Sequence, residues 1–320
     1  MSMRILPTLL FALLLLAAVA PLAADTRIER ELALGPGGRF VLDTDDGSVE
    51  VVGTSRPNAR VVITSRRDDV ESLYDMRFEE QAGEVRIEVD RKGKRWSWFG
   101  GSRGGGLAFE IEVPQDVELE IDTAGGSISV ESVGGPARLD TSGGAIHARG
   151  IGAALIADTS GGSISVEDVD GDVDADTSGG SIEIAGVRGK VRADTSGGGI
   201  RIREVDGDVE ADTSGGGIRV EDAGGRVQAD TSGGPITVSF APANARGGEL
   251  FTSGGGVEVR LDPAVSLEID ASSSGGSVVS DLPITVQGKV SRTSLRGQLG
   301  GGGELLKLRS SGGGIRIRAR

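Results

Sequence analysis

Apolar residues in the stretch from Asp176 to Ala193 fall at Ile182, Ile184, Val187, Val191 and Ala193. Steps of two predict two short strands, each with one inward and one outward face. Val and Ile dominate, and no apolar run follows a helical period. Gly179-Gly180 and Gly189 punctuate the strands, and as bends they predict backbone with positive φ. The same unit recurs along the chain. Its motif, Asp-Thr-Ser/Ala-Gly-Gly, starts at Asp122, Asp140, Asp158, Asp176, Asp194, Asp212 and Asp230, an unbroken 18-residue period. Degenerate copies begin at Thr252, Ser273 and Ser310, and Asp43-Thr44-Asp45-Asp46-Gly47-Ser48-Val49-Glu50-Val51 aligns with the unit position for position.

One unit cannot stand alone. Its five aliphatic side chains contribute roughly 1.5–3 kcal/mol each when buried. Ordering its backbone costs roughly 1–2 kcal/mol per residue. Stacking closes that gap, because neighbouring units then share backbone hydrogen bonds and one apolar interior. The expected fold is all-β: a parallel β-solenoid, a single-stranded right-handed β-helix with 18-residue coils. The expected organisation is a signal peptide (1–24), a linker (25–38), an N-terminal β region that starts and caps the solenoid (39–121), and the repeat solenoid (122–320). Strands are expected at 60–64, 84–90 and 108–113.

Alternation fixes the columns. With Val191 and Ala193 inward, Thr195 follows them, so Thr123, Thr141, Thr159, Thr177, Thr195, Thr213 and Thr231 form an inner hydroxyl ladder. The seven motif aspartates then form an outer column. Asp side chains readily accept hydrogen bonds from backbone N–H groups two or three residues on. The column is therefore expected to cap the Ser-Gly-Gly turns. The C-terminal run Ile315-Arg316-Ile317-Arg318-Ala319-Arg320 alternates arginine, as an exposed edge strand does to prevent edge-to-edge pairing.

The stretch from Phe109 to Val130, with Ile111-Glu112-Val113-Pro114 leading into Gly126-Ser127-Ile128-Ser129-Val130, resembles the "putative adhesin" domain family of bacteria. That family has no assigned function. The likeness runs from about Arg39 to the C-terminus. It implies a β-helix fold and an exported, envelope-linked setting, and it brings no catalytic residues.

The N-terminus supports export. Arg4 precedes an apolar run from Leu9 to Ala20, Pro21 breaks it, and Leu22-Ala23-Ala24 offers small residues for cleavage. The run is short of the ~20 residues that span a bilayer. The expected destination is the periplasm, the envelope or the cell exterior, with no integral span after cleavage.

Composition narrows the chemistry. Among 320 residues there is no cysteine and one histidine, His147. A disulfide framework, thiolate metal sites, cysteine nucleophiles and multi-histidine sites are excluded. His147, between Ile146 and Ala148, is expected to face solvent. The net charge of −14 argues against nucleic-acid binding through phosphate neutralisation. Gly-Lys pairs at Gly93, Gly189 and Gly288 lack the following Ser/Thr of a phosphate loop.

The carboxylates suggest three further readings. Asp-Thr-Ser-Gly resembles an aspartic-protease loop, but such an enzyme needs one carboxylate pair, not seven copies in register. Glu167, Asp168, Asp170, Asp172, Asp174 and Asp176, then Asp206, Asp208, Glu210 and Asp212, are oxygen ligands of the kind Ca²⁺ takes. No EF-hand or calcium β-roll spacing accompanies them, so no metal ligand and no cofactor is assigned. Calcium remains the alternative for a structural repeat. A polysaccharide-active β-helix enzyme would use paired carboxylates in a cleft built by insertions, and the seven regular units contain none.

Two features break the acidic regularity. Lys92, Lys94, Arg95, Trp96, Trp98 and Phe99 gather both tryptophans with cations, a composition suited to anionic headgroups or glycans. Residues 107–236 carry 25 acidic and nine basic side chains, whereas 288–320 carry one acidic and eight basic. The expected protein is an exported, non-enzymatic binding or scaffold solenoid. Its partner is an envelope surface, a glycan or a protein.

Overall fold

A computed structural model describes residues 26–93, 106–286 and 291–320. The expected signal peptide, 1–24, and the stretch holding Lys94, Arg95, Trp96, Trp98 and Phe99 lie outside the described residues. The fold is all-β. Its single helix among the described residues is the one-turn Val70–Leu73. Among the described residues, twenty-nine strands form two sheets of fourteen and fifteen strands, neither closed into a barrel. The sequence-predicted strands appear as Ala59–Ser65, Glu84–Arg91 and Ala108–Pro114.

Through the repeats, successive strands alternate between the sheets. Each pairs in parallel with its counterpart in the next unit. Asp140 stands opposite Asp158, Asp158 opposite Asp176, and Ile164 opposite Ile182. Inward positions form one continuous apolar core, in which Val191, Ala193, Ile200, Ile202 and Val205 are all buried. Small Ala and β-branched Val and Ile fill this thin interior through the regular units, and the buried rings Phe40, Phe109 and Phe240 lie towards its ends.

The corner glycines are required for a reason other than positive φ. Gly179, Gly180 and Gly189 do not have it. Instead, a Cβ on Gly144, Gly162, Gly180, Gly198 or Gly216 would overlap the backbone of the glycine in the preceding unit. Gly189, Gly207 and Gly225 meet the same obstacle at the other corner. Left-handed backbone occurs elsewhere, at Ser132, Gly150, Asp168, Gly186, Glu204 and Asp222, again once per unit. There the pairing skips one residue: Arg149 faces Glu167, then Ile151 faces Val169.

Both ends of the stack are interleaved. Arg39–Thr44 lies between Glu84–Arg91 and Glu118–Thr123, and Ser48–Thr54 between Ala108–Pro114 and Ile128–Glu131. At the other end, Glu304–Ser310 lies between Gly248–Thr252 and Leu267–Ser273. Ile315–Ala319 likewise lies between Val257–Leu261 and Val278–Ser280. The arginine-alternating C-terminal strand is therefore interior to its sheet, contrary to the expected edge. Its arginines face solvent or acidic neighbours, and its Ile315 and Ile317 enter the core. Three of the four sheet ends are closed by antiparallel strands. Thr26–Leu32 and Tyr74–Gln81 finish one end, and Ser294–Leu299 with Ile284–Val286 finishes the fifteen-stranded sheet at the other. Charged side chains on Thr26–Leu32 and Tyr74–Gln81 protect those edges.

Candidate functional site

The regular register builds its most distinctive surface on the outer face of the fifteen-stranded sheet. Within each unit the threonine turns inward and the preceding aspartate outward. Each inner hydroxyl makes two bonds. Thr141 Oγ1 donates to the carbonyl of Gly126 at 2.8 Å and accepts from the Gly144 amide at 3.3 Å. Thr159, Thr177, Thr195, Thr213 and Thr231 repeat the pair with the same distances. Ser273 and Ser310 continue the column in the degenerate units. The turn-capping role expected of the aspartates thus belongs to the threonines. They point to the inside of the corner, where the otherwise unsatisfied backbone groups lie.

Released from capping, the aspartates form an open row. Asp43, Asp122, Asp140, Asp158, Asp176, Asp194, Asp212 and Asp230 stand opposite one another in register. Glu88 extends the row beyond Asp43. Strand spacing places neighbours about 4.8 Å apart. Cationic relief is sparse: Arg138 reaches Asp158 at 3.6 Å, and Arg192 reaches Asp194 at 2.7 Å. Partial burial, then repulsion from Asp194, Asp230 and Glu210, pushes the Asp212 carboxyl up to about 6, against the opposing pull of Arg192. Burial followed by carboxylate neighbours also raises Asp43, Asp122, Asp176 and Asp230. Asp158 is raised by burial although Arg138 opposes it. Asp176, Asp194, Asp212 and Asp230, with Ser196 and Ser214, line a groove of about 260 Å³.

Two residues earlier on each strand the outward column is mixed in charge: Arg138, Ile156, Asp174, Arg192, Glu210. Arg192 ties it to the aspartate row, contacting Asp174 at 3.9 Å and Glu210 at 3.1 Å as well as Asp194. A wider groove of about 540 Å³ runs beside this column, over Ile156, Asp174, Arg192 and Glu210. Past Asp230 the acidic row gives way to Phe251 and then Arg309.

The carboxylates of the row project in parallel rather than converging. Among the described residues, no group of three or more His, Asp or Glu is arranged to hold a metal ion. His147 is exposed between Ser129 and Ser165 on the other sheet. Of the aromatic–basic stretch, Lys92 is described. Its ammonium donates to the Glu71 carbonyl at 2.8 Å and its amide to the Leu73 carbonyl at 2.7 Å, so it is fastened to the one-turn helix.

The basic C-terminal segment is largely neutralised where it threads the stack. Lys307 pairs with Glu249, Arg309 with Asp270 at 3.0 Å, Arg318 with Glu258 at 4.0 Å, and Arg320 with Asp222. Burial pushes the Asp270 carboxyl up, but hydrogen bonds from Arg309 and Arg296 outweigh it and hold it below the usual range. The charge contrast in the sequence therefore reports, in part, an insertion held by ion pairs. Its signature, cations spaced to meet Glu249, Glu258 and Asp270, becomes visible only with the stacking order.

Among the described residues no helix is long and apolar enough to cross a membrane. No curated protein matches the chain. Among the solved structures similar over most of its length are three. The "putative cell adhesion protein" of Clostridium sporogenes is 11% identical, with 92% of this chain and 100% of that chain covered and a TM-score of 0.26. The "putative adhesin" of Bacteroides fragilis is 10% identical, with 92% and 98% covered and a TM-score of 0.32. The "putative lipid binding protein" of Parabacteroides distasonis is 12% identical, with 91% and 96% covered and a TM-score of 0.36. The sequence profile described as Toastrack DUF4097 matches residues 39–318, most of the chain and all of the stacked units, and the protein belongs to that family.

Proposed function

We propose that the protein is an exported, non-enzymatic binding scaffold of the cell envelope: a right-handed β-solenoid with 18-residue coils that presents a repetitive face to a basic partner. The observation that carries this reading is the in-register row of eight aspartates on one open face. Mutual repulsion makes the row costly, roughly 1 kcal/mol per neighbouring pair at water's dielectric. A cationic partner removes that cost on binding and brings its charges into complementary positions. The registered pairing supports the coil length, and parallel strand–connection–strand units are right-handed in nearly all folds. The leader segment supports export. The uninterrupted repeat favours binding over catalysis, because a reaction centre needs a few carboxylates set apart from the rest.

The test uses the full mature chain and a lysine-rich peptide as probe, with a glutamate-rich peptide as control, in biolayer interferometry at low and high salt. Salt-sensitive binding of the lysine peptide alone is expected, weakened by the double substitution Asp194→Asn and Asp212→Asn. Equal binding by the double variant would remove the aspartate row from the proposal.

A further inference from the structure

The fourteen-stranded sheet carries a different feature on its outer face. Along one outward row stand Ser165, Glu183, Arg201, Arg219 and Thr237. Arg201 and Arg219 are directly opposite in register, in a chain with a net charge of −14. Like charges so placed destabilise a sheet. Neighbouring pairs relieve other cations here, since Arg203 reaches Glu183 at 3.1 Å and Arg219 reaches Glu221 at 3.5 Å. Arg201, among the described residues, forms no ion pair and no side-chain hydrogen bond.

The corner beside these arginines is also altered. The residue just before the strand is Ser127, Ala145, Ser163 and Ser181 in four units, then Gly199 and Gly217, then Pro235. Neither glycine has positive φ, so the backbone conformation does not demand them. A Cβ on Gly199 would come no closer than 3.2 Å to the Gly217 carbonyl oxygen. Their missing side chains open a groove of about 330 Å³, lined by Ser181, Glu183, Arg201, Arg219, Pro235 and Thr237.

We propose that this groove binds a uronate-bearing polysaccharide. Arg201 and Arg219 grip one sugar carboxylate, as guanidinium forks do. The Ser181 and Thr237 hydroxyls, at either end, serve ring hydroxyls, and the Pro235 ring and bared glycine backbone offer a flat bed for a pyranose. Backbone donors at the groove are already used: Ile200 N–H bonds the Gly217 carbonyl at 3.0 Å, and Ile218 N–H the Pro235 carbonyl at 3.0 Å. A peptide strand therefore has no ladder to join, whereas a sugar needs side-chain partners only. Two adjacent arginines match one carboxylate, whereas nucleic acid or an anionic bilayer draws on many more cations than this groove holds.

Isothermal titration of the full mature chain with an oligogalacturonate tests this, with its methyl ester and an oligoglutamate peptide as controls. Binding of the oligogalacturonate alone is expected. Arg201→Gln with Arg219→Gln should weaken it about tenfold or more. Gly199→Ser keeps every charge, restores the side chain that Ser163 and Ser181 carry at equivalent positions, and should weaken binding comparably by filling the groove. Arg66→Gln, exposed after the strand Ala59–Ser65 and in neither groove, should leave it unchanged, and thermal melts report whether each variant is folded. Absent binding by the unaltered chain, equal binding of the methyl ester or oligoglutamate, or undiminished binding by folded Gly199→Ser and arginine variants would overturn the proposal.

Discussion

The Thr177 hydroxyl lies 2.8 Å from the carbonyl oxygen of Gly162, one unit back, and 3.3 Å from the amide nitrogen of Gly180 in its own turn. A single side chain thus joins two units and closes a corner, and the arrangement recurs down the stack. Thr177→Val removes both bonds from a buried site. The expected loss is about 1–3 kcal/mol, read from the urea midpoint. Thr177→Ser keeps the hydroxyl that Ser273 and Ser310 use in the same column, and should cost clearly less.

Adjacent glycines should respond very differently. Gly180→Ala places a methyl group inside the Gly162 backbone. It is expected to cost at least about 1–3 kcal/mol, with the corner forced apart. Gly179→Ala meets the Gly161 carbonyl oxygen at 3.4 Å, an ordinary contact, and should stay within about 0.5 kcal/mol of the parent. Equal losses in chemical denaturation would show that close approach is not what selects glycine here.

The left-handed column offers an inverse test. Glu204 holds φ of 55° without glycine's freedom. That conformation costs a side-chain-bearing residue roughly 1–2 kcal/mol, partly offset by the greater unfolded entropy a glycine brings. Glu204→Gly should therefore be neutral to about 1 kcal/mol stabilising. Gly186→Ala, at φ of 69° in the preceding unit, should be destabilising. Paired thermal melts compare them directly.

The aspartate row makes stability depend on pH in a defined direction. Asp43, Asp122, Asp158, Asp176, Asp212 and Asp230 titrate higher in the folded protein than their ordinary value of 3.8, Asp212 at about 6. The folded state thus holds these protons more tightly than the unfolded chain. Their stabilising contribution is complete below the unfolded value and is lost as pH rises through the folded one. Tm should increase as pH falls from above 6 toward 4. Asp212→Asn should raise Tm at neutral pH and flatten that rise. Asp270 acts oppositely, and its ion pairs with Arg296 and Arg309 weaken only at lower pH.

Much of this architecture is legible in the residues. The regular period and the alternation of Val191, Ala193 and Thr195 predict the strands and the inner threonines, and both are found. Stacking order at the ends is not legible. Thr44, Thr123 and Ser310 are equally acceptable in one column, so local pattern does not say that 39–44 lies beside 118–123, or that 304–310 slips between 248–252 and 267–273. The glycine corners were visible as glycine, but their cause is a distance between units. The aspartates were visible as an outer column, but only the inward hydroxyls beside them show that the carboxylates are left uncommitted to the turns. Arg201 and Arg219 stand one period apart, a signal in the sequence whose meaning depends on the glycines that bare the corner beside them.

The most direct test of the acidic face is a carboxyl NMR titration of the mature chain, alone and saturated with the lysine-rich peptide. In the free protein, Asp122, Asp158, Asp176, Asp212 and Asp230 should titrate above the ordinary aspartate value. With the peptide bound, nearby cations should draw these values down together. Ordinary values in the free protein would contradict the partly buried, mutually repelling row. Raised values that the peptide leaves unchanged would contradict its role as the binding face.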